Sequence, residues 1–379
     1  MEYHMRFAPI FSGIMAWMVT SLPVSAFDTI AQSAFVLDKT SGTVLLAKNA
    51  DQPVPPASMS KLMTLNMLFE ALQDGRVNLD TKFTVSKKAS EKGGSKMFVK
   101  QGERVSVENL IRGIIVHSGN DACIVVAENL AGSEADFARI MTSRARKLGM
   151  KNSTFANATG WPNPNHRMSA RDLITLANRL ITQFPEFYNF FQERTFTWAN
   201  ITQKNRNPLL SLGLGADGLK TGHTSEAGYG LVGTARQSDR RVILVVNGLE
   251  SSAERVVEAE RLMNWAFRQF SLETLINSGK NVAQAEVWLG ETDYIGLEIK
   301  DDISVLIPYS VRDDIEIYVT YEGPIQAPIK KGDELGVLSI DIPDLPSRSY
   351  PVFASGDVGS ASIMKRIRVS ANKLLKAIN

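Results

Sequence analysis

The hydrophobic pattern changes character near residue 280, and that change divides the chain. Upstream, segments with strand character lie at both ends of a long helix-rich stretch. "SAFVLDKTSGTVLLAKN" reads as a hairpin of residues 34–38 and 43–48 around a turn at 39–42. Helical runs fill about residues 107–180, including two that meet at Ser118-Gly119-Asn120 and one opened by Ser169 and Asp172 in the manner of a capping box. Strands return with "GADGLKTGHT" and with the pair in "GYGLVGTARQSDRRVILVVNGL", and the helix "ERVVEAERLMNWAFRQF" follows. Such an order predicts an α+β domain with one sheet whose edges the two ends share, not a repeating βαβ winding. Downstream, "AEVWLGE", "YIGLEI", "ISVLIPY", "IEIYVTYEG" and "LGVLSIDI" alternate and are broken by Gly, Pro and Asp, which predicts a small all-β domain. A chain of 379 residues, 44% hydrophobic, has length and core enough for both.

The two termini carry a second kind of information. Residues 1–26 hold Arg6, an apolar stretch from Phe7 to Leu22 and then Val24-Ser25-Ala26, the pattern of a secretory signal peptide cut after Ala26. Pro9, Gly13 and the shortness of the run argue against an uncleaved anchor, since a spanning helix needs ~20 apolar residues. At the other end, Ile363, Ile367, Ala371, Leu374 and Ile378 recur at helical spacing, with Lys365, Arg366, Arg368, Lys373 and Lys376 largely on the remaining face. That tail is +5, leaving −3 for the rest of a chain of net charge +2. Such a helix can lie in an anionic membrane interface; packing on the β domain is the competing reading. The expected division is therefore signal peptide 1–26, first domain 27–278, β domain 282–358 and amphipathic helix 360–379.

Ser58 stands at the mouth of the apolar run "PPASMSKLMTLNMLFEAL", with Lys61 three residues on. Residues i and i+3 share a helix face, so the hydroxyl and amine can meet as a nucleophile and a base. By spacing alone the plainer reading is Ser58 as a helix cap and Lys61 as a solvated first-turn residue, and Ser362/Lys365 and Ser370/Lys373 match S-x-x-K as well.

Two further motifs follow in order: S-x-N at Ser118 to Asn120 and K-T-G at Lys220 to Gly222. S-x-x-K, S-x-N and K-T-G in that sequence are the arrangement of penicillin-recognising serine enzymes. Together with "LDKTSGTVL", "PASMSKLMT", "HSGNDAC", "ARDL", "DGLKTGHTSEAGYGLV" and "NWAFRQF", they make nearly the whole chain from Ala34 onward resemble a low-molecular-mass penicillin-binding protein, a D-alanyl-D-alanine carboxypeptidase of peptidase family S11. The resemblance implies a DD-peptidase/β-lactamase-like domain, an antiparallel sheet flanked by helices plus a helical subdomain, followed by the small β domain and a membrane-associated tail. It implies export to the periplasmic face of a bacterial cytoplasmic membrane, peptidoglycan stem peptides as substrates and β-lactams as covalent inhibitors.

By the same resemblance Ser58 is the nucleophile, Lys61 its base and Ser118 a proton relay. Asn120 holds the substrate amide, and the backbone N–H groups of Ser58 and His223 receive the oxyanion. Lys220, Thr221 and Gly222 of the K-T-G motif, with Arg255 by its spacing ahead of "NWAF", bind the substrate carboxylate. A base lysine must be neutral, and enclosure next to Lys220 lowers its pKa.

Other classes fit less well. Cys123 is the only cysteine, which precludes an intramolecular disulfide and suits a small core residue. His4, His117, His166 and His223 lack metal-ligand spacing, so no metal or other cofactor is expected. A body of negative sign does not suggest nucleic acid. A class A β-lactamase would carry E-x-x-L-N where this chain has "NATGWPNPNHRMSARD". A DD-endopeptidase would use the same site, and a non-catalytic envelope scaffold would have no need of the intact motifs.

Overall fold

The residues described in the computed structural model of the protein are 2–4, 27–343, 345–365 and 367. They divide into two units, one running from residue 27 to Arg268 and the other comprising Glu2–His4 and the residues from Gln269 onward. Most of the expected signal peptide, residues 5–26, and all but the first turn of the expected tail helix lie outside the described residues.

The first unit opens with the hairpin β1 (Ser33–Asp38) and β2 (Thr43–Lys48). Then come α1 (Lys61–Gln73), α2 (Val107–Ile115), α3 (Asn120–Ala131), α4 (Glu134–Lys147) and α5 (Ala170–Gln183). It closes with β3 (Ala216–Thr224), β4 (Gly228–Gln237), β5 (Arg240–Leu249) and α6 (Ser252–Arg268). The five strands form one antiparallel sheet in the order β2-β1-β5-β4-β3. The N-terminal strand is thus interior, and the two edges are β2 and the K-T-G strand β3.

Both faces of the sheet are covered. Phe35, Leu219, Val232, Ile243 and Val245 join the core of the helical layer, while Ala34, Val36, Leu231, Leu244 and Val246 pack with Leu262 and Met263 of α6. Two covered faces explain why β5 reads as an unbroken apolar run where a half-exposed strand would alternate. Helix α1 is buried at every residue from Lys61 to Phe69, the behaviour of a helix that is apolar on all sides. Ser169 Oγ accepts from Asp172 N at 3.1 Å, opening α5 as expected. The reciprocal half of the box is absent, because the Asp172 carboxylate accepts instead from Asn152 N and Ser153 Oγ.

The second unit holds β6 (Phe270–Ile276), β7 (Asn281–Trp288), β8 (Tyr294–Glu298), β9 (Ile303–Pro308), β10 (Glu316–Tyr321), β11 (Ile325–Gln326), β12 (Glu334–Asp341) and β13 (Arg348–Ala354). β6 pairs with β9, and the others form a sheet ordered β10-β12-β13-β8-β7-β11, with Glu2–His4 beside β10. Because β6 belongs here, the first unit ends at Arg268 and not in the linker expected near 277–281. β13 lies outside the segments expected for this domain, and it contains Pro351, a residue unusual within a strand. Its pairing with β8 covers only Phe353 and Ala354, so Pro351 has one strand neighbour and interrupts no second ladder.

Candidate active site

Ser58 lies in a 3-10 turn, Ala57–Ser60, just ahead of α1, and its side chain caps neither helix. The hydroxyl is half-buried, whereas Lys61, Ser118 and Asn120 behind it are buried. Lys61 Nζ stands 2.7 Å from Ser58 Oγ, 2.8 Å from Asn120 Oδ1 and 3.5 Å from Ser118 Oγ. One amine therefore joins the first two motifs. Asn120 turns its Nδ2 the other way, donating to the carbonyl of Gly93 at 2.9 Å.

The surroundings of this amine work against its charge. Burial pushes the Lys61 pKa down to about 8, with the Arg206 and Lys92 cations adding to the effect and Cys123 and Asp121 opposing it. Burial, then the charge of Lys61, then that of Arg206 hold Lys220 well below the usual lysine value. Lys220 Nζ donates to the carbonyl of Thr221 at 3.1 Å. A neutral amine at hydrogen-bond distance from a reachable hydroxyl can take its proton, which is the requirement for a serine nucleophile.

Edge strand β3 carries the third motif, with Lys220, Thr221 and Gly222 buried and the His223 ring exposed. A Cβ on Gly222 would lie 2.9 Å from the carbonyl oxygen of Pro56 and 3.2 Å from Ala57 Cβ. Glycine is needed for that approach, which brings the backbone of β3 against the turn bearing Ser58. The His223 ring stacks on Tyr229, with centroids 3.9 Å apart, and the Arg255 guanidinium lies 5.6 Å from the centre of the Tyr229 ring. Arg255 is buried, and among the described residues its one hydrogen-bond partner is the Ser252 hydroxyl at 3.2 Å, its Nε having none. A buried cation with no carboxylate beside it is expensive unless an anion is to be received there. Arg255 also lowers the Lys220 pKa, so its charge is felt at the K-T-G motif.

Pattern reading missed three contributors. Arg206, exposed and tied to Ser95 Oγ at 2.6 Å, acts electrostatically on Lys61, Lys220 and Arg255 from a loop with no motif to mark it. Asp121 follows Asn120, and its buried carboxylate accepts from the backbone N–H groups of Met97, Phe98, Val99 and Ala122. Gly160, with φ +79°, is the third: a Cβ there would lie 1.8 Å from the Ala57 carbonyl oxygen. It lets the loop of residues 157–161 press against the turn bearing Ser58. Ala57 and Ser118 themselves have φ of +47° and +56°, sparsely populated conformations that cluster at working sites.

A helical layer over an antiparallel sheet, with a serine hydroxyl held against a buried amine at their junction, defines a serine acyl-transfer hydrolase. The chain belongs to the D-alanyl-D-alanine carboxypeptidase family, whose model matches residues 20–251; a model described as the C-terminal domain of penicillin-binding protein 5 matches residues 270–360. It is 36% identical over 345 residues to D-alanyl-D-alanine carboxypeptidase DacD of Escherichia coli (strain K12), 89% of each chain being covered. Among solved structures it resembles penicillin binding protein 5 from Haemophilus influenzae, with a TM-score of 0.75, 33% identity and coverage of 89% of this chain and 100% of that one. Penicillin-Binding Protein D2 from Listeria monocytogenes in its ampicillin-bound form matches 63% of this chain and 98% of its own, at 32% identity and a TM-score of 0.58.

Asp121 gives the first test. Replacing it with alanine strands buried backbone N–H groups, each costing ~1–3 kcal/mol. Asp121→Ala is therefore expected to destabilise the protein by about 3 kcal/mol and to slow its reaction with a chromogenic β-lactam more than about tenfold. Unchanged labelling kinetics would show that the loop of residues 93–99 does not shape the site.

Proposed function

We propose that the protein removes the terminal D-alanine from peptidoglycan stem peptides ending in D-Ala-D-Ala, through an acyl-enzyme on Ser58. The observation that carries this reading is the 2.7 Å approach of the buried Lys61 amine to the Ser58 hydroxyl. Neutral Lys61 takes the hydroxyl proton as Ser58 Oγ attacks the carbonyl of the penultimate D-alanine. The backbone N–H groups of Ser58 and His223 receive the oxyanion, consistent with the close packing of Gly222 on the Ser58 turn. Ser118 relays the proton to the leaving nitrogen, D-alanine departs, and water then releases the acyl group. Asn120 holds the acyl-side amide through the second N–H of its Nδ2. Lys220, Thr221 and Arg255 bind the terminal carboxylate, with Arg206 adding positive potential at the rim. β-Lactams acylate the same serine, because a strained amide presents the same carbonyl and carboxylate.

The base must be neutral, so acylation should rise with pH through about 8, and fall about tenfold per pH unit on the acid side of that value. Intact-protein mass spectrometry should find one penicillin adduct, absent in Ser58→Ala, and D-alanine should be released from a D-Ala-D-Ala peptide. An adduct that survives Ser58→Ala would remove this serine from the mechanism.

The reading extends to location: an exported enzyme held peripherally at the outer face of the cytoplasmic membrane by residues 360–379. Ile363, Met364 and Ile367 are 76%, 82% and 64% exposed, an apolar start to the tail that leaves surface for a lipid interface. Among the described residues no helix is long and apolar enough to cross a membrane. Deleting residues 363–379 should leave turnover of a soluble peptide intact and release the protein from membranes. Retention of the truncated protein would point to an uncleaved N-terminal segment.

A further inference from the structure

Trp161 is 44% exposed, an unusual state for the largest side chain, and it belongs to the loop that presses on Ala57 through Gly160. The Lys92 ammonium lies 4.2 Å from the centre of its ring. Neighbouring acids are already engaged: Glu91 faces Lys87 at 3.8 Å, and Glu134 holds Lys88 at 2.8 Å. Among the described residues Lys92 has no carboxylate within ion-pair distance. Arg206 adds a second cation at the rim, beside Ser95.

The position of this pair relative to the reacting centre is set by Gly94. A Cβ there would lie 2.8 Å from Asn120 Nδ2 and 3.0 Å from Trp161 Cζ3, so only a glycine backbone separates the two side chains. Asn120 meets Lys61 with its Oδ1 and Gly93 with its Nδ2, so Trp161 and Lys92 border the Asn120 amide on the side opposite the catalytic amine. On the proposed carboxypeptidase reading, which this inference deepens, Asn120 holds the acyl side of the substrate. The residue reaching past it is then the one that precedes the acyl-donating D-alanine.

We propose that Trp161 and Lys92 form a subsite for the side chain of that preceding residue, and that they select an aliphatic chain ending in a carboxylate. The indole face suits methylene groups, the ammonium held over it suits a carboxylate, and the cationic rim disfavours a chain ending in an ammonium alone. Trp161 and Lys92 touch no reacting atom and act on substrate choice.

The test compares D-alanine release from peptides that end in D-Ala-D-Ala and differ only in the preceding residue: L-2-aminopimelate, its side-chain amide, L-lysine or glycine. Wild-type enzyme is expected to show kcat/KM about tenfold higher for the carboxylate than for L-lysine, with the amide between them. Lys92→Gln should shrink that ratio to about threefold or less, and Trp161→Ala should bring the aliphatic peptides down toward glycine. An unchanged thermal unfolding midpoint shows that each variant is folded, and the ratio between peptides cancels any change in overall rate that loss of the Lys92 charge causes through Lys61. Equal turnover of the carboxylate and lysine peptides by wild type, or a ratio that Lys92→Gln leaves unchanged, overturns the subsite while the carboxypeptidase reading stands. Release from none of the four peptides overturns that reading, and the subsite with it.

Discussion

A primary amine cut off from water is the constraint on which the first unit depends. Lys61 is wholly buried at the start of a helix that is itself buried, and Lys220 is buried on the neighbouring edge strand. Burial disfavours charge on both, and the charge of Lys61 disfavours charge on Lys220. The nearby buried carboxylate, Asp121, spends its oxygens on backbone N–H groups. The site is therefore a pocket of positive potential in search of an anion, with Arg255 and Arg206 on its flanks. An arriving carboxylate favours the charged form of the lysine nearest to it, which leaves the other to act as base. On the proposed mechanism, substrate binding and nucleophile activation are in this way two results of one electrostatic arrangement.

Holding that arrangement falls to the backbone around it. The Ser58 turn is pinned from two directions by positions that accept no side chain, Gly160 on one side and Gly222 on the other. Ala57 and Ser118 sit at positive φ, so the turns bearing both candidate hydroxyls are kept in conformations an isolated chain would leave. The Asp121 carboxylate fixes the loop of residues 97–99 immediately beside Asn120.

Much of this was legible in the residues because motif spacing records backbone geometry. S-x-x-K places Ser58 and Lys61 on one face, and the order of the three motifs matches the order in which a helix mouth, a helix junction and a strand converge. The hairpin, the helix junction at 118–120 and the segments of the β domain were equally readable from their periodicity. What resisted reading was set by tertiary contact. Nothing local says that Arg206 reaches Ser95, that Asp121 collects backbone donors far along the chain, or that a bare glycine at 160 is required by Ala57. Residues 270–276 continue directly from α6, and only the pairing of β6 with β9 shows that they belong to the second unit and not within a first domain of 27–278.

The central claim is that the Lys61 amine loses its proton near neutrality in the folded protein. It is tested most directly by nuclear magnetic resonance of protein carrying 13C at the lysine Cε, with the Lys61 signal assigned by its loss in Lys61→Arg and followed from pH 5 to 11. A titration midpoint near 8 is what the burial and neighbouring cations require. A midpoint at or above the ordinary lysine value of about 10.4 would contradict the account, since Ser58 would then face an ammonium that cannot accept its proton.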